Sequence, residues 1–361
     1  MAPLPSSGPQ RATLVDVAAA AQVSRQTVSN ALNHPHRLTP QTLQRVQAHI
    51  DALGFQPNRA ARSLRRQRAN AVGFQIAGPA WRGFRNVLDP FLAALTESVQ
   101  EADAHLVTFV CDEAETLTMY EKLLSTQVVD GFVLSQTAHD DPRAAWLRER
   151  NVPFVSFGRI WDDPSVTAWV DVDGQAGTAA AVAHLRAEGY RRIGWVGWPE
   201  GSPVGDDRRT GWLRSCSDLN QDCAALAVES VHDSLATARA VGPLIDRLEP
   251  GDAVVCVSDV VAVGVTMALG ERGLRPGVDI GVVGFDDSDL ALTFRLSSVR
   301  QPLATIAGLL TRMVETPETP RQGVVVQPVL VARDSSSRAL DGPVTSSSPG
   351  RSSATTVRPR R

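Results

Sequence analysis

The sequence predicts a small all-α N-terminal unit followed by a two-lobed α/β core built on parallel sheets. Positive charge is gathered at one end: residues 1–70 hold nine arginines against Asp16 and Asp51 alone, whereas residues 71–361 hold 27 basic against 37 acidic side chains. Short helices with clear start signals fill the N-terminal stretch, and from residue 71 onward short β-rich runs alternate with helical ones. At 361 residues the chain also exceeds the ~100–200 residues of a single domain. A basic head on an acidic body suits a nucleic-acid-binding unit joined to a domain that must not bind nucleic acid.

The first helix is expected from Thr13, which can cap LVDVAAAA. After a break at Gln22-Val23, Ser24 can cap a second helix carrying Val28 and Leu32 on one side. A third starts at Thr39 with Pro40 in the first helical position, carries Leu43, Val46, Ile50 and Leu53 on one stripe, and stops at Gly54. If Val23, Val28 and Leu32 pack inward, Arg25, Gln26, Thr27, Ser29 and Asn30 are left outside. An arginine can read guanine, Gln and Asn can read adenine, and hydroxyls such as those of Ser24, Thr27 and Ser29 can hold phosphates. The same polar face would serve equally as a solvated surface.

Residues 57–68 are Arg-rich and weakly apolar, a linker by composition. Strands are then expected at 71–77, 105–110, 130–135, 152–158, 192–197, 252–258 and 279–285, with helical periodicity between them, for example in FLAALTESVQEA and GTAAAVAHLRAEGY. Strands separated by a helix imply parallel sheets covered on both faces. The pattern is too long for one sheet and predicts two lobes. Open α/β sheets bind ligands at the C-terminal ends of their strands, which singles out Trp81 after the first strand and Arg159 and Trp161 after the fourth. The tail from Ser335 to Arg361 is Ser, Pro, Gly and Arg, a disordered composition.

TLVDVAAAAQVSRQTVSNALN, RLTPQTLQRVQAHIDALGFQPNRAARSLR, GYRRIGWVG, DDRRTGW, VSDVVAVGVTMAL, GLRPGVDIGVVGFDD and SVRQP occur in order along residues 12–334. In these motifs the chain resembles the lactose-repressor (LacI/GalR) family of bacterial regulators. The resemblance implies a helix-turn-helix headpiece over 12–56, a hinge helix over 57–69, and a periplasmic-binding-protein-like core over 70–334. The expected first lobe is 70–167 with 298–319, and the second 168–297 with 320–334. It further implies that Arg25, Gln26 and Asn30 read bases, that Asn58 and Arg59 hold phosphates, that Ala61 lets paired hinge helices approach, and that Leu64 wedges into the minor groove. In the core it assigns Arg208 and Asp286 to the effector, with Ser258 as a polar cleft residue. One departure is Gln22, which stands where the family's turn usually has Gly; a positive φ there would cost about 1 kcal/mol.

The implied partners are double-stranded operator DNA, a sugar-type small-molecule effector and a second copy of the chain, since no leucine heptad follows residue 334. The implied function is a repressor released from a near-palindromic operator by the effector. Activation or corepressor dependence fits the same residues. A transport-type sugar-binding protein is opposed by the basic headpiece and by an N-terminus without an apolar signal run. With no apolar stretch of membrane-spanning length, a cytoplasmic location is expected. Enzymes are disfavoured: there is no Walker loop, no GxGxxG after the first strand, no GxSxG, and no histidine in metal spacing. The adjacent acids Asp140-Asp141, Asp162-Asp163, Asp206-Asp207 and Asp286-Asp287 point apart and make poor acid–base pairs. No cofactor or metal is implied, and Cys111, Cys216, Cys223 and Cys256 read as reduced structural thiols.

Overall fold

The computed structural model describes residues 12–55, 69–77, 81–161, 163–219, 221–315 and 322–337. The chain divides into two units, Met1–Asn70 and Ala71–Arg361. The expected hinge contacts of Asn58, Arg59, Ala61 and Leu64 lie outside the described residues.

In the N-terminal unit, α1 (Leu14–Ala20) opens with a reciprocal cap: the Thr13 hydroxyl accepts from the Asp16 backbone N–H, and the Asp16 carboxylate accepts from the Thr13 N–H at 2.7 Å. α2 (Arg25–Asn33) starts at Ser24, whose hydroxyl accepts from the Thr27 N–H at 3.1 Å. α3 (Pro40–Ala52) is capped by Thr39. Val17, Ala18, Val28, Val46, Ile50 and Phe55 close the core between the three. Leu53 departs from the expected stripe and is 41% exposed. Gly54, at φ 57°, turns the chain so that Phe55 enters the core in its place, its N–H donating to the Ile50 carbonyl at 3.0 Å.

The turn after α1 has the same hydrogen bonds. The Val23 N–H donates to Ala18 and the Gln22 N–H to Ala19, with Gln22 at φ 51°. Gln22 therefore occupies the left-handed position that Gly54 fills after α3, and its side chain is exposed rather than buried in the core. Gln22→Gly is expected to stabilise the N-terminal unit by about 1 kcal/mol, read as a higher midpoint in calorimetry of the full chain. An unchanged or lower midpoint would mean that the turn is unstrained.

The core lays down β1 (Ala71–Ala77), α4 (Trp81–Glu101), β2 (His105–Cys111), α5 (Thr116–Ser125), β3 (Gly131–Leu134), α6 (Pro142–Glu149), β4 (Phe154–Phe157) and β5 (Trp169–Val172). Next come α7 (Gly174–Ala187), β6 (Ile193–Gly197), α8 (Pro203–Cys216), β7 (Ala227–Glu229), α9 (Ser234–Ala240), α10 (Gly242–Ile245), β8 (Ala253–Cys256), α11 (Asp259–Glu271), β9 (Gly281–Asp286), α12 (Asp289–Thr293) and β10 (Ser297–Arg300). The chain finishes with α13 (Leu303–Glu315), β11 (Val324–Val326) and β12 (Val329–Val331). Among the described residues these form two sheets, ordered β11-β5-β4-β3-β1-β2 and β12-β10-β9-β8-β6-β7, parallel except where β12 runs against β10.

The crossings between lobes fall later than the sequence suggests. β5 pairs with β4 and β11, so the chain leaves the first lobe after residue 172 rather than at 167. β10 stays on β9, so the return follows residue 300 rather than 297. β11 and β12 belong to different sheets, which puts the last crossing at Gln327-Pro328 rather than at 319. Ladder bonds to distant strands set these boundaries, and local composition carries no trace of them. The sequence reads as disordered from Ser335, yet the first residues of that stretch are packed. Ser335 and Ser336 are buried; the Ser335 hydroxyl donates to the Val282 carbonyl at 2.6 Å, and Ser336 meets His184 Nε2 at 2.7 Å. Small hydroxyl side chains that read as disorder here close a crowded corner.

Cys111, Cys216 and Cys256 are buried and all four thiols are free. Among the described residues no helix is long and apolar enough to cross a membrane, and no group of side chains could hold a metal.

Candidate DNA-reading helix and effector cleft

In the N-terminal unit, Val28 is fully buried while Arg25 and Gln26 are exposed in the first turn of α2. Ser24 and Thr27 share a hydroxyl bond at 2.9 Å beside the cap, and Gln26 Nε2 donates to Asn30 Oδ1 at 3.2 Å. The structure thus brings Arg25, Gln26 and Asn30 onto one accessible face at the start of a helix, with Ser24, Thr27 and Ser29 around it. That bond fixes the two amides with respect to each other and leaves the Arg25 fork free to reach.

The core holds a cavity of about 830 Å³ between its lobes, at the C-terminal ends of the strands. The second lobe's share is built on α8. Gly211 lets α8 press onto the chain at Gln175, where a Cβ would come within 2.4 Å of the Gln175 carbonyl oxygen. Trp212 next to it is fully buried and donates to the Ile193 carbonyl at 2.9 Å. One turn earlier on that face stands Arg208. It donates to the Val257 carbonyl at 2.6 Å, lies 3.5 Å from Asp286 Oδ1, and stacks 3.6 Å over the Phe285 ring. Its Nε is buried without a partner. Asp286 ends β9 at φ 112°, a strained value for a non-glycine, and accepts from Gln301 Nε2 at 2.7 Å. Burial pushes the Asp286 carboxyl up, with Arg208 pulling it back, and burial likewise depresses Arg208. Trp198 adds an indole to the wall, held by its N–H donating to His232 Nδ1 at 3.1 Å.

Two expected effector residues stand behind the wall. Ser258 is fully buried and caps α11, its hydroxyl taken by the Val261 N–H and by His232 Nδ1 at 3.3 Å. Arg159 is drawn to Asp171 at 2.6 Å and lies over Trp161; Asp171 and Trp161 face the cavity in its stead. The Trp161 Nε1 is buried without a partner. Trp81 begins α4, and its side chain lies outside what the structure describes.

The first lobe contributes residues that sequence reasoning missed. Asp141 caps α6 and grips Arg143 through both carboxylate oxygens at 2.6–3.1 Å, while Arg143 also donates to the Ser135 carbonyl at 2.9 Å. Gln75, on β1, donates to the Thr116 hydroxyl at 2.9 Å. Asp-Pro before a helix reads as a cap, but nothing in HDDPRAAW tells which way Arg143 turns.

Behind Asp286, Asp259 is fully buried and accepts from Ser298, from the Ser288 N–H and from the Ser288 hydroxyl. Burial lifts its carboxyl from 3.8 to about 6. Between those values the unfolded chain has released the proton that the folded chain still holds. Stability from this group is therefore full below 3.8 and falls as pH rises toward about 6. Asp259→Asn should flatten that part of a stability–pH curve measured by urea unfolding; an unchanged slope would show that Asp259 ionises normally.

Two parallel sheets around a polar cleft, joined in one chain to a capped helix-turn-helix unit, define a ligand-responsive DNA-binding transcriptional regulator. Residues 13–58 match the model for bacterial regulatory proteins of the lacI family, and residues 182–336 match a periplasmic binding protein-like domain. The HTH-type transcriptional regulator CelR of Thermobifida fusca is 31% identical over 342 residues, covering 90% of this chain and 98% of that one. An uncharacterized HTH-type regulator in the aml 5′ region of Streptomyces limosus is 32% identical, over 94% of this chain and 99% of that one. Among solved structures, a CelR–cellobiose complex superposes with a TM-score of 0.67 at 27% identity, covering 90% of this chain and 100% of that one. The operator-bound lac repressor dimer shares the fold, with a TM-score of 0.72 at 23% identity over 91% and 100%. The chain belongs to the LacI family.

Proposed function

We propose that the protein acts in the cytoplasm as a homodimeric repressor on a near-palindromic operator, and that a sugar-type effector closing the cleft releases it. It works by binding and not by catalysis. Residues 12–56 read the half-site, 57–69 form the hinge between headpiece and core, and lobe closure changes the spacing of paired hinges. The observation that carries the effector reading is the station of Arg208, Asp286 and Gln301 beside the Trp198 indole. A carboxylate accepts from sugar hydroxyls, a guanidinium and an amide donate to their oxygens, and an indole covers sugar C–H faces. The cellobiose held by the CelR relative supports the same chemistry.

A thermal-shift screen with mono- and disaccharides tests this, because a ligand at about 100 times its Kd adds about 2.7 kcal/mol to the native state. No shift with any sugar would remove the sugar from the proposal. On the DNA side, Arg25→Ala is expected to cost about 1–3 kcal/mol of operator affinity and to relax preference at one position per half-site. Asn58→Ala should instead weaken all sequences alike. Competition binding with single-base operator variants separates the two patterns; sequence-independent losses for both would take Arg25 out of base reading.

A further inference from the structure

We infer that the cavity selects an uncharged polyol of disaccharide size and turns away phosphorylated and carboxylated sugars. The inference rests on the sugar-effector reading and narrows it.

Anions bind proteins chiefly at free arginine forks and at helix N-termini. Both arginines that the described residues bring to the wall are already matched. Arg143 is held bidentately by Asp141 and spends a further donor on the Ser135 carbonyl; Arg208 faces Asp286 and donates to Val257. Four helix N-termini open onto the cavity; α5 follows the acidic run of Asp112, Glu113 and Glu115, and each of the other three has a carboxylate in or beside its first turn. Asp141 accepts from the Arg143 N–H at the head of α6, and Asp173 from the Ala176 N–H at the head of α7. Asp206 sits in the first turn of α8 and accepts from the Gly201 N–H at 3.0 Å. Negative charge thus stands at each place where a phosphate would be caught. Asp112, Glu113 and Asp207 add negative charge to the same wall, and Asp207 accepts from the neutral amide of Gln175 at 2.9 Å. What is left for a ligand is hydrogen bonding without a surplus of positive charge: the orphaned Trp161 Nε1, the Nε of the charge-matched Arg208, the Gln75 and Gln301 amides, and carboxylate acceptors.

Size follows from the two stations. Gln75, Thr116 and the Asp141–Arg143 pair belong to the first lobe, and Arg208 and Asp286 to the second, with Gln301 on the crossover just after β10. A volume of about 830 Å³ stands in the upper part of the ~300–1,000 Å³ range of small-molecule pockets. One ring engaging each station fills it better than a single ring.

Calorimetric titration of the full-length protein with three matched sets tests this: cellobiose against cellobionate, maltose against maltose 6′-phosphate, and glucose against glucose 6-phosphate. A neutral disaccharide should bind at least ~10-fold tighter than its anionic partner and than glucose at low salt, with the charge gap narrowing as salt screens the wall. The D112N/E113Q variant should narrow that gap in the same direction. Tighter or equal binding of an anionic partner overturns the inference while leaving a sugar effector in place, as does glucose binding best. No binding by any of the six overturns the sugar reading and the inference together.

Discussion

Replacing Arg208 by alanine is expected to cost the core about 3–5 kcal/mol and to abolish the response to the effector. Arg208 is buried, and it faces a carboxylate that is buried too. Removing the cation leaves Asp286 without its counter-charge. Burial already lifts that carboxyl well above the carboxylate range, and loss of Arg208 lifts it further, so Asp286 would hold its proton near neutrality. Protonation trims the penalty but also turns an acceptor into a donor at the point where a ligand hydroxyl would arrive. Urea unfolding gives the stability change, and operator binding measured at low temperature gives the rest. If Arg208 serves the effector, the folded variant still binds operator and ignores ligand. A purely structural pair would make the variant lose operator and ligand together. Asp286→Asn separates the cases further, because it keeps volume and can keep the Gln301 bond while removing the charge.

Trp212→Ala is expected to cost a similar ~3–5 kcal/mol and to weaken the effector without touching any wall residue. The indole is fully buried in the second lobe's core and fixes α8 against β6 through the Ile193 carbonyl. That carbonyl also accepts from Gln221 Nε2 at 2.8 Å, so the loss comes from the space left behind and not from an orphaned acceptor. Relaxation of α8 into the space moves Arg208, one turn away, off the Val257 carbonyl. Unfolding midpoints and effector titration of Trp212→Ala beside Trp212→Phe measure both effects. Full effector affinity in a strongly destabilised alanine variant would show that Arg208 is placed by its own partners alone.

These effects converge on α8, and its placement shows how far the sequence could be read. The motif DDRRTGW was legible, because family likeness is carried by local sequence. That Arg208 would be buried over Phe285 depends on β9, some eighty residues away. The seven expected strands all occur, each an apolar run long enough to show a pattern. The strands β5, β7, β10, β11 and β12 are three or four residues long and lie outside such apolar runs, so their ladder partners and not a local pattern define them. In the N-terminal unit, Thr13, Ser24 and Thr39 cap as expected, and the anomaly at Gln22 is realised as a positive φ. In the cleft, Ser258 and Arg159 stand one layer behind the wall, since capping and the Asp171 carboxylate claim them first. Arg143 was missed because the direction of its side chain is set by the carbonyls of Ser135 and Gln136 after folding.

The claim that ties both units together is that the Arg208–Asp286 station senses a ligand and the N-terminal unit reports it on DNA. Fluorescence anisotropy of a labelled operator, titrated with wild-type protein and with Asp286→Asn, with and without a sugar found by thermal shift, tests it most directly. A ligand moves an equilibrium only through its differential affinity for two states, so the sugar should weaken wild-type operator binding and leave the variant's unchanged. A variant that binds operator like wild type and still responds at the same sugar concentrations would contradict the placement of the effector at Asp286.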